Sequence, residues 1–235
     1  MSDVAPHDGD AVQPSAGGEP APRRRWVDPL LTAGLLGAYG AFAATFRGPR
    51  ERFWQRMTAT GAGLGSLALL TEPELRRTRI RTRDVALGLA SAAGLYGVFR
   101  VGDAAARRIM PKGAEEIDDI YALRALQPKT EIAARLALVV GPAEELFWRG
   151  FVLRRSQRLY GRWRGAAIAA LKYGGVHLST GNATLAGAAT TAGAYWSALA
   201  AAGMPMGALV VSHVAWDVWI FLLQPTTAVD DAVPA

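Results

Sequence analysis

The sequence predicts an all-α fold, a multi-pass transmembrane bundle of about seven hydrophobic helices. Three observations carry this reading. Hydrophobic residues make up 51% of the 235, yet mean hydropathy is only +0.13, because charged arms dilute apolar blocks rich in Ala and Gly. Charge is segregated: long stretches carry almost none, and the basic residues crowd between them. Two glutamates, two histidines and an aspartate lie inside apolar blocks, where ionisable side chains are costly and mark a pathway or a site. Composition alone also allows a soluble domain of this length, and the segregation of charge is what argues for a membrane.

Residues 1–27 are rich in Pro, Gly and Asp, lack apolar periodicity, and read as a disordered arm in which His7 is a solvated bystander. Arg23, Arg24 and Arg25 ahead of the apolar run from Leu30 to Leu36 fit a first transmembrane helix; a signal peptide ending near Ala41-Phe42-Ala43 is the alternative. The transmembrane domain, 28–224, holds candidate spans at 29–46, 53–70, 84–101, 131–153, 165–179, 183–202 and 206–223, with a catalytic core at 131–223. A full crossing needs about 20 mainly apolar residues, so 53–70 and 165–179 are short for one. Gly61-Ala62-Gly63-Leu64-Gly65 offers a small-residue face for close helix packing. Residues 225–235 form a tail with Asp230 and Asp231 and no base.

Loop charge sets an orientation. Arg23 to Arg25, the run Arg76 to Arg83 and the run Arg154 to Arg164 fall on one side if seven spans alternate, and that side reads as cytoplasmic. The loop with Arg47, Arg50, Arg52 and Arg56 departs from the rule, which argues against 53–70 as a plain crossing. The 102–130 connection, with Glu115, Glu116, Asp118, Asp119, Pro111 and Pro128, reads as an external surface segment. The net charge of +6 then anchors loops to anionic lipid, and no nucleic-acid partner is expected. The absence of Cys excludes disulfides, a thiol nucleophile and cysteine-ligated zinc.

Three motifs lie within the spans: Glu144-Glu145-Leu146-Phe147-Trp148-Arg149, Tyr173-Gly174-Gly175-Val176-His177 and His213-Val214-Ala215-Trp216-Asp217. At 1.5 Å per residue Glu144 is ~15 Å in from Arg154, His177 ~20 Å in from Arg164 and His213 ~10 Å in from Met206. They converge at similar depth, which predicts a site opening toward the cytoplasmic half.

Spacing gives these residues chemistry. Glu145 and Arg149 are four apart and share a face, so each offsets the burial of the other. Glu144 points about 100° away with no partner on its own helix, as suits a general base; a buried ion-pair cluster is the competing reading. His177 is either catalytic or a packing histidine bonded to a backbone carbonyl, with Gly174 and Gly175 permitting close approach. His213 and Asp217 are four apart, so Asp217 can orient His213. Trp148, Trp216 and Trp219 serve packing or the interface belt.

The ordered trio of Glu-Glu-xxx-Arg, aromatic-xxx-His and His-xxx-Asx, within the context Gly141 to Gly150, resembles the intramembrane proteases related to CAAX prenyl endopeptidases and bacteriocin-processing proteins. The resemblance covers about 131–223. It implies an all-helical membrane endopeptidase with membrane lipids and a peptide or lipidated protein as partners. Glu144 with His177 would activate water, His213 and Asp217 would stabilise the oxyanion, and Glu145 with Arg149 would support the site. Tyr173 stands where the family usually has Phe, and its hydroxyl needs a partner. Asp217 stands where many members have Asn, and an ionised Asp cannot donate to an oxyanion. Lys172 sits where an apolar residue is expected, either snorkelling or offsetting the carboxylates. The favoured chemistry is metal-free; Glu144, His177 and His213 are also the set that would hold zinc in a metalloprotease-like site. A proton or cation transporter and a non-catalytic immunity-type binder remain the alternative classes.

Overall fold

Apolar helices that bury their aromatic rings and leave many leucines outside are the dominant feature of this chain. The computed structural model describes residues 27–109 and 113–224, with side chains in 103–115 and at 117 left aside. The expectations for the N-terminal arm, for Pro111 and for the tail after Gln224 lie outside the described residues, as do those for the side chain of Glu115.

Among the described residues all regular structure is helical. In order, the helices are α1 (Pro29–Phe46), α2 (Phe53–Thr71), α3 (Thr82–Ile109), α4 (Gly113–Tyr121), α5 (Lys129–Arg135), α6 (Gly141–Glu145), α7 (Arg154–Tyr160), α8 (Arg162–His177), α9 (Ala183–Ala202) and α10 (Met206–Asp217). Between α5, α6 and α7 the backbone stays helical through π turns at Leu136–Val140 and Leu146–Leu153, so 129–160 is one rod. A third π stretch, Val218–Leu223, extends α10.

Each of the seven predicted spans is helical, and three are long and apolar enough to cross a membrane unaided: Pro29–Phe46, Thr82–Gly102 and Met206–Leu223. The others fall short because α2 carries Gln55 and Arg56 in its first turn, the rod carries Glu144, Glu145 and Arg149, α8 is short and carries Lys172, and α9 is mostly Ala and Gly. Leu36, Leu70, Leu138 and Leu171 are each at least 65% exposed, an exterior suited to lipid. The protein is an all-α membrane bundle.

Contacts between helix ends follow the alternation that the loop pattern predicts. At one end Arg155 bonds Asp28 and Glu72, Arg158 bonds Glu72, and Arg154 bonds Glu74. That joins the start of α1, the α2–α3 loop and the end of the rod. At the other, Arg47 donates to the Ser179 carbonyl, Arg50 to the Asp119 carbonyl and Asn182 to the Glu116 carbonyl. Thus α2 runs from end to end of the bundle. The arginines that break the loop rule have local work: Arg47, and Arg56 through the Ala44 carbonyl, satisfy carbonyls at helix C-termini, where cations are favoured.

Candidate active site

The rod bends its register around the two glutamates. Pro142, in the first turn of α6, has no N–H to give the preceding turn, and π turns flank the segment on both sides, a device frequent at functional sites. Glu144, Glu145 and Arg149 are all buried. Small residues permit α2 to seat here: a β-carbon at Gly65 would lie 2.9 Å from Ala143 Cβ, and one at Gly61 3.4 Å from Val140 Cα, whereas Gly63 meets nothing. The small-residue face thus packs directly beside Glu144.

Glu145 is a hub. Its Oε1 accepts from Arg149 Nη1 at 2.9 Å and lies 2.7 Å from His213 Nδ1. The predicted Glu145–Arg149 pair is present, and it also holds His213, a link across 68 residues that spacing does not reveal. Asp217 approaches the opposite nitrogen, with Oδ2 3.5 Å from His213 Nε2, and Glu144 Oε2 stands 3.8 Å from the same atom. The orienting carboxylate of His213 is therefore Glu145, and Asp217 faces the nitrogen turned to the site. Trp196, which the motifs do not include, stacks on the His213 ring at 4.2 Å and 16°, and its indole N–H donates to Ser212, which donates to Ser91. Arg149 lies between the Tyr173 and Trp196 rings, 4.9 and 5.1 Å from their centres.

Tyr173 joins the other two candidates. Its hydroxyl donates to Glu144 Oε2 at 2.9 Å, and its carbonyl lies 2.8 Å from His177 Nδ1. The carbonyl-bonded state of His177 is thus realised at Nδ1, while Nε2 has no hydrogen-bond partner among the described residues. Close approach of α9 requires Gly174, where a β-carbon would collide with Thr190, but not Gly175. Lys172 faces away from the carboxylates: Nζ lies 3.5 Å from Ser156 Oγ, beside Asp28 and Tyr160 at the arginine-rich end. It snorkels.

Glu144, Tyr173, His177, His213 and Asp217 all line one cavity of about 240 Å³, whose other walls include Phe42, Phe46, Phe53, Trp54, Phe99, Trp216 and Phe221. These lining residues come from the middles of their helices and from the ends nearer α4. The cavity therefore runs from Glu144 away from the arginine-rich end. An arginine-rich cytoplasmic end and a site opening toward the cytoplasmic half do not hold together in this geometry.

As metal donors, His177 and His213 both have Nδ1 engaged and Nε2 turned away from that bond, a chemistry that suits zinc. In position, no three His, Asp or Glu side chains among the described residues are grouped as a metal would need.

Residues 128–219 match the family described as Type II CAAX prenyl endopeptidase Rce1-like. No curated protein and no solved structure matches the chain. Over those residues the chain is similar to that family, and the matched region contains all six site residues named from the sequence.

Proposed function

We propose that the protein is an intramembrane endopeptidase that hydrolyses a peptide bond of a membrane-associated peptide or lipidated protein, with water activated by Glu144 and His177. One observation carries the reading: a buried carboxylate without a cationic partner on its own helix shares an apolar-walled cavity with two imidazoles whose Nδ1 atoms are fixed. Glu144 takes a proton from water, and the His177 Nε2 lone pair holds that water for attack. Glu145 and Arg149 keep His213 in place. His213 and Asp217 line the wall on which the carbonyl oxygen gathers charge.

Water is polarised without a metal in this scheme, since Glu144 Oε2 already accepts the Tyr173 hydroxyl and base and imidazole suffice for proton abstraction. Against a transport role, the charged groups between Glu144 and the arginine-rich end, Glu145 and Arg149, are closed into one ion pair beside Phe147, Trp148 and Phe151, all at most 2% exposed.

The test compares wild type with Glu144→Gln on a library of tagged membrane peptides. Cleavage by wild type alone supports the assignment, and equal cleavage by both removes Glu144 from it. Activity that survives exhaustive chelation supports the metal-free scheme. Stoichiometric zinc whose removal abolishes cleavage and whose return restores it overturns that scheme and leaves the site residues standing.

A further inference from the structure

The cavity is short of hydrogen-bond donors aimed at its reacting centre. A carboxylate only accepts, so Asp217 and Glu144 offer none while ionised. A neutral His213 that gives its Nδ1 proton to Glu145 presents a lone pair at Nε2, and so does a neutral His177 that gives its Nδ1 proton to the Tyr173 carbonyl. A doubly protonated His213 turns its Nε2–H toward the carboxylates of Asp217 and Glu144, at 3.5 and 3.8 Å. The donor within hydrogen-bond distance of Glu144 among the described residues is the Tyr173 hydroxyl, 2.9 Å from Oε2.

Packing gives no reason for that hydroxyl. The Tyr173 ring meets Trp148 and His177 edge-on and underlies Arg149, contacts that a phenyl ring would make equally well. Burying a hydroxyl costs free energy unless it is bonded, and here its acceptor is the proposed base.

We propose that Tyr173 is a catalytic residue whose hydroxyl donates to Glu144 in the resting site and to the carbonyl oxygen in the tetrahedral intermediate. The inference rests on the endopeptidase reading. When Glu144 takes a proton from water, the hydroxide oxygen bonds to the carbonyl carbon and the carbonyl π pair moves onto its oxygen. Glu144 is then a neutral acid and a poorer acceptor, so the Tyr173 O–H turns to the new oxyanion. That bond is lost from the oxyanion when the intermediate collapses, the C–N bond breaks and Glu144 returns its proton to the departing amine.

The test measures kcat and KM for wild type, Glu144→Gln, Tyr173→Phe and the double variant Tyr173→Phe/Asp217→Asn on one cleaved membrane peptide. Phe retains the ring and its packing. Tyr173→Phe should lower kcat about 100-fold, as loss of one oxyanion donor does, with KM within about twofold. Adding Asp217→Asn sets a carboxamide N–H on the same wall and should regain about tenfold in kcat. Full kcat in Tyr173→Phe, with Glu144→Gln inactive, overturns the role of Tyr173 and leaves the endopeptidase reading standing. A loss that Asp217→Asn does not restore also overturns it, by confining the hydroxyl to its bond with Glu144. If wild type and Glu144→Gln are equally inert on every peptide, the reading and the role fall together.

Discussion

Adjacent glutamates on one helix take different work because a helix turns about 100° per residue. Glu144 meets the cavity and the Tyr173 hydroxyl, while Glu145 meets Arg149 and His213. Glu144→Gln should leave expression and melting temperature nearly unchanged and remove cleavage, because it deletes a base and keeps the shape. Glu145→Gln should lower stability by about 3 kcal/mol, since it leaves a buried guanidinium without its counter-charge. Thermal unfolding in detergent beside the peptide assay separates the two, and the reverse pattern would mean the faces are misassigned. Which pairs could be foreseen follows from the same geometry. Glu145 with Arg149, and His213 with Asp217, are four apart on one helix, so spacing reveals them. Glu145 with His213 and Glu144 with Tyr173 join different helices, and only packing creates them. The Tyr173 hydroxyl did leave a signal, a polar atom in an apolar run that must find a partner.

Helices meet at this site where side chains are missing. Gly65 lets α2 approach Ala143, the residue before Glu144, so Gly65→Val should push α2 off the rod, lower the melting temperature and reduce cleavage. Gly63→Ala, which faces open space, should change neither; equal damage from both would deny the glycine contact its role. The elements themselves were legible as apolar blocks, but the π turns were not, because no residue pattern distinguishes a widened turn from an α turn. At the arginine-rich end Asp28 caps α1 through the Leu30 and Leu31 N–H groups and pairs with Arg155. Burial alone would raise the Asp28 carboxyl; the Leu31 N–H and the Arg155 guanidinium outweigh it and hold it below its ordinary value. A carboxyl depressed in the folded state stabilises above its unfolded value and loses that contribution as pH falls through the folded one. Asp28→Asn should therefore lower the melting temperature at pH 7, with the gap from wild type closing as pH drops below 4. A gap that keeps its full size as pH falls through the carboxylate range would mean the charge of Asp28 is not what matters.

For the whole molecule, the ordering of ends and the direction of the cavity decide where chemistry occurs. The loop charges foretold which loops share an end, and the Arg155–Asp28 and Arg47–Ser179 contacts bear that out. Depth counted along single helices did not foretell the cavity's direction, because it measures distance from one end and says nothing of which neighbours fill the space beyond. Three helices can cross a membrane by length and composition, and they expose leucine outward, so the protein should remain in the membrane pellet after alkaline carbonate washing; release would refute the bundle. Orientation follows from Arg76 to Arg83 and Arg154 to Arg164, whose end we propose is cytoplasmic. The cavity would then open to the opposite face, on the side of α4. Cysteines placed at Arg164 and Asp118, both exposed and at opposite ends, report this with a membrane-impermeant thiol reagent on intact cells. Asp118→Cys should label directly, and Arg164→Cys only after permeabilisation. The inverse result would reverse the orientation and put the cavity mouth in the cytoplasm. Labelling of both from outside would break the alternation of ends on which the bundle is built.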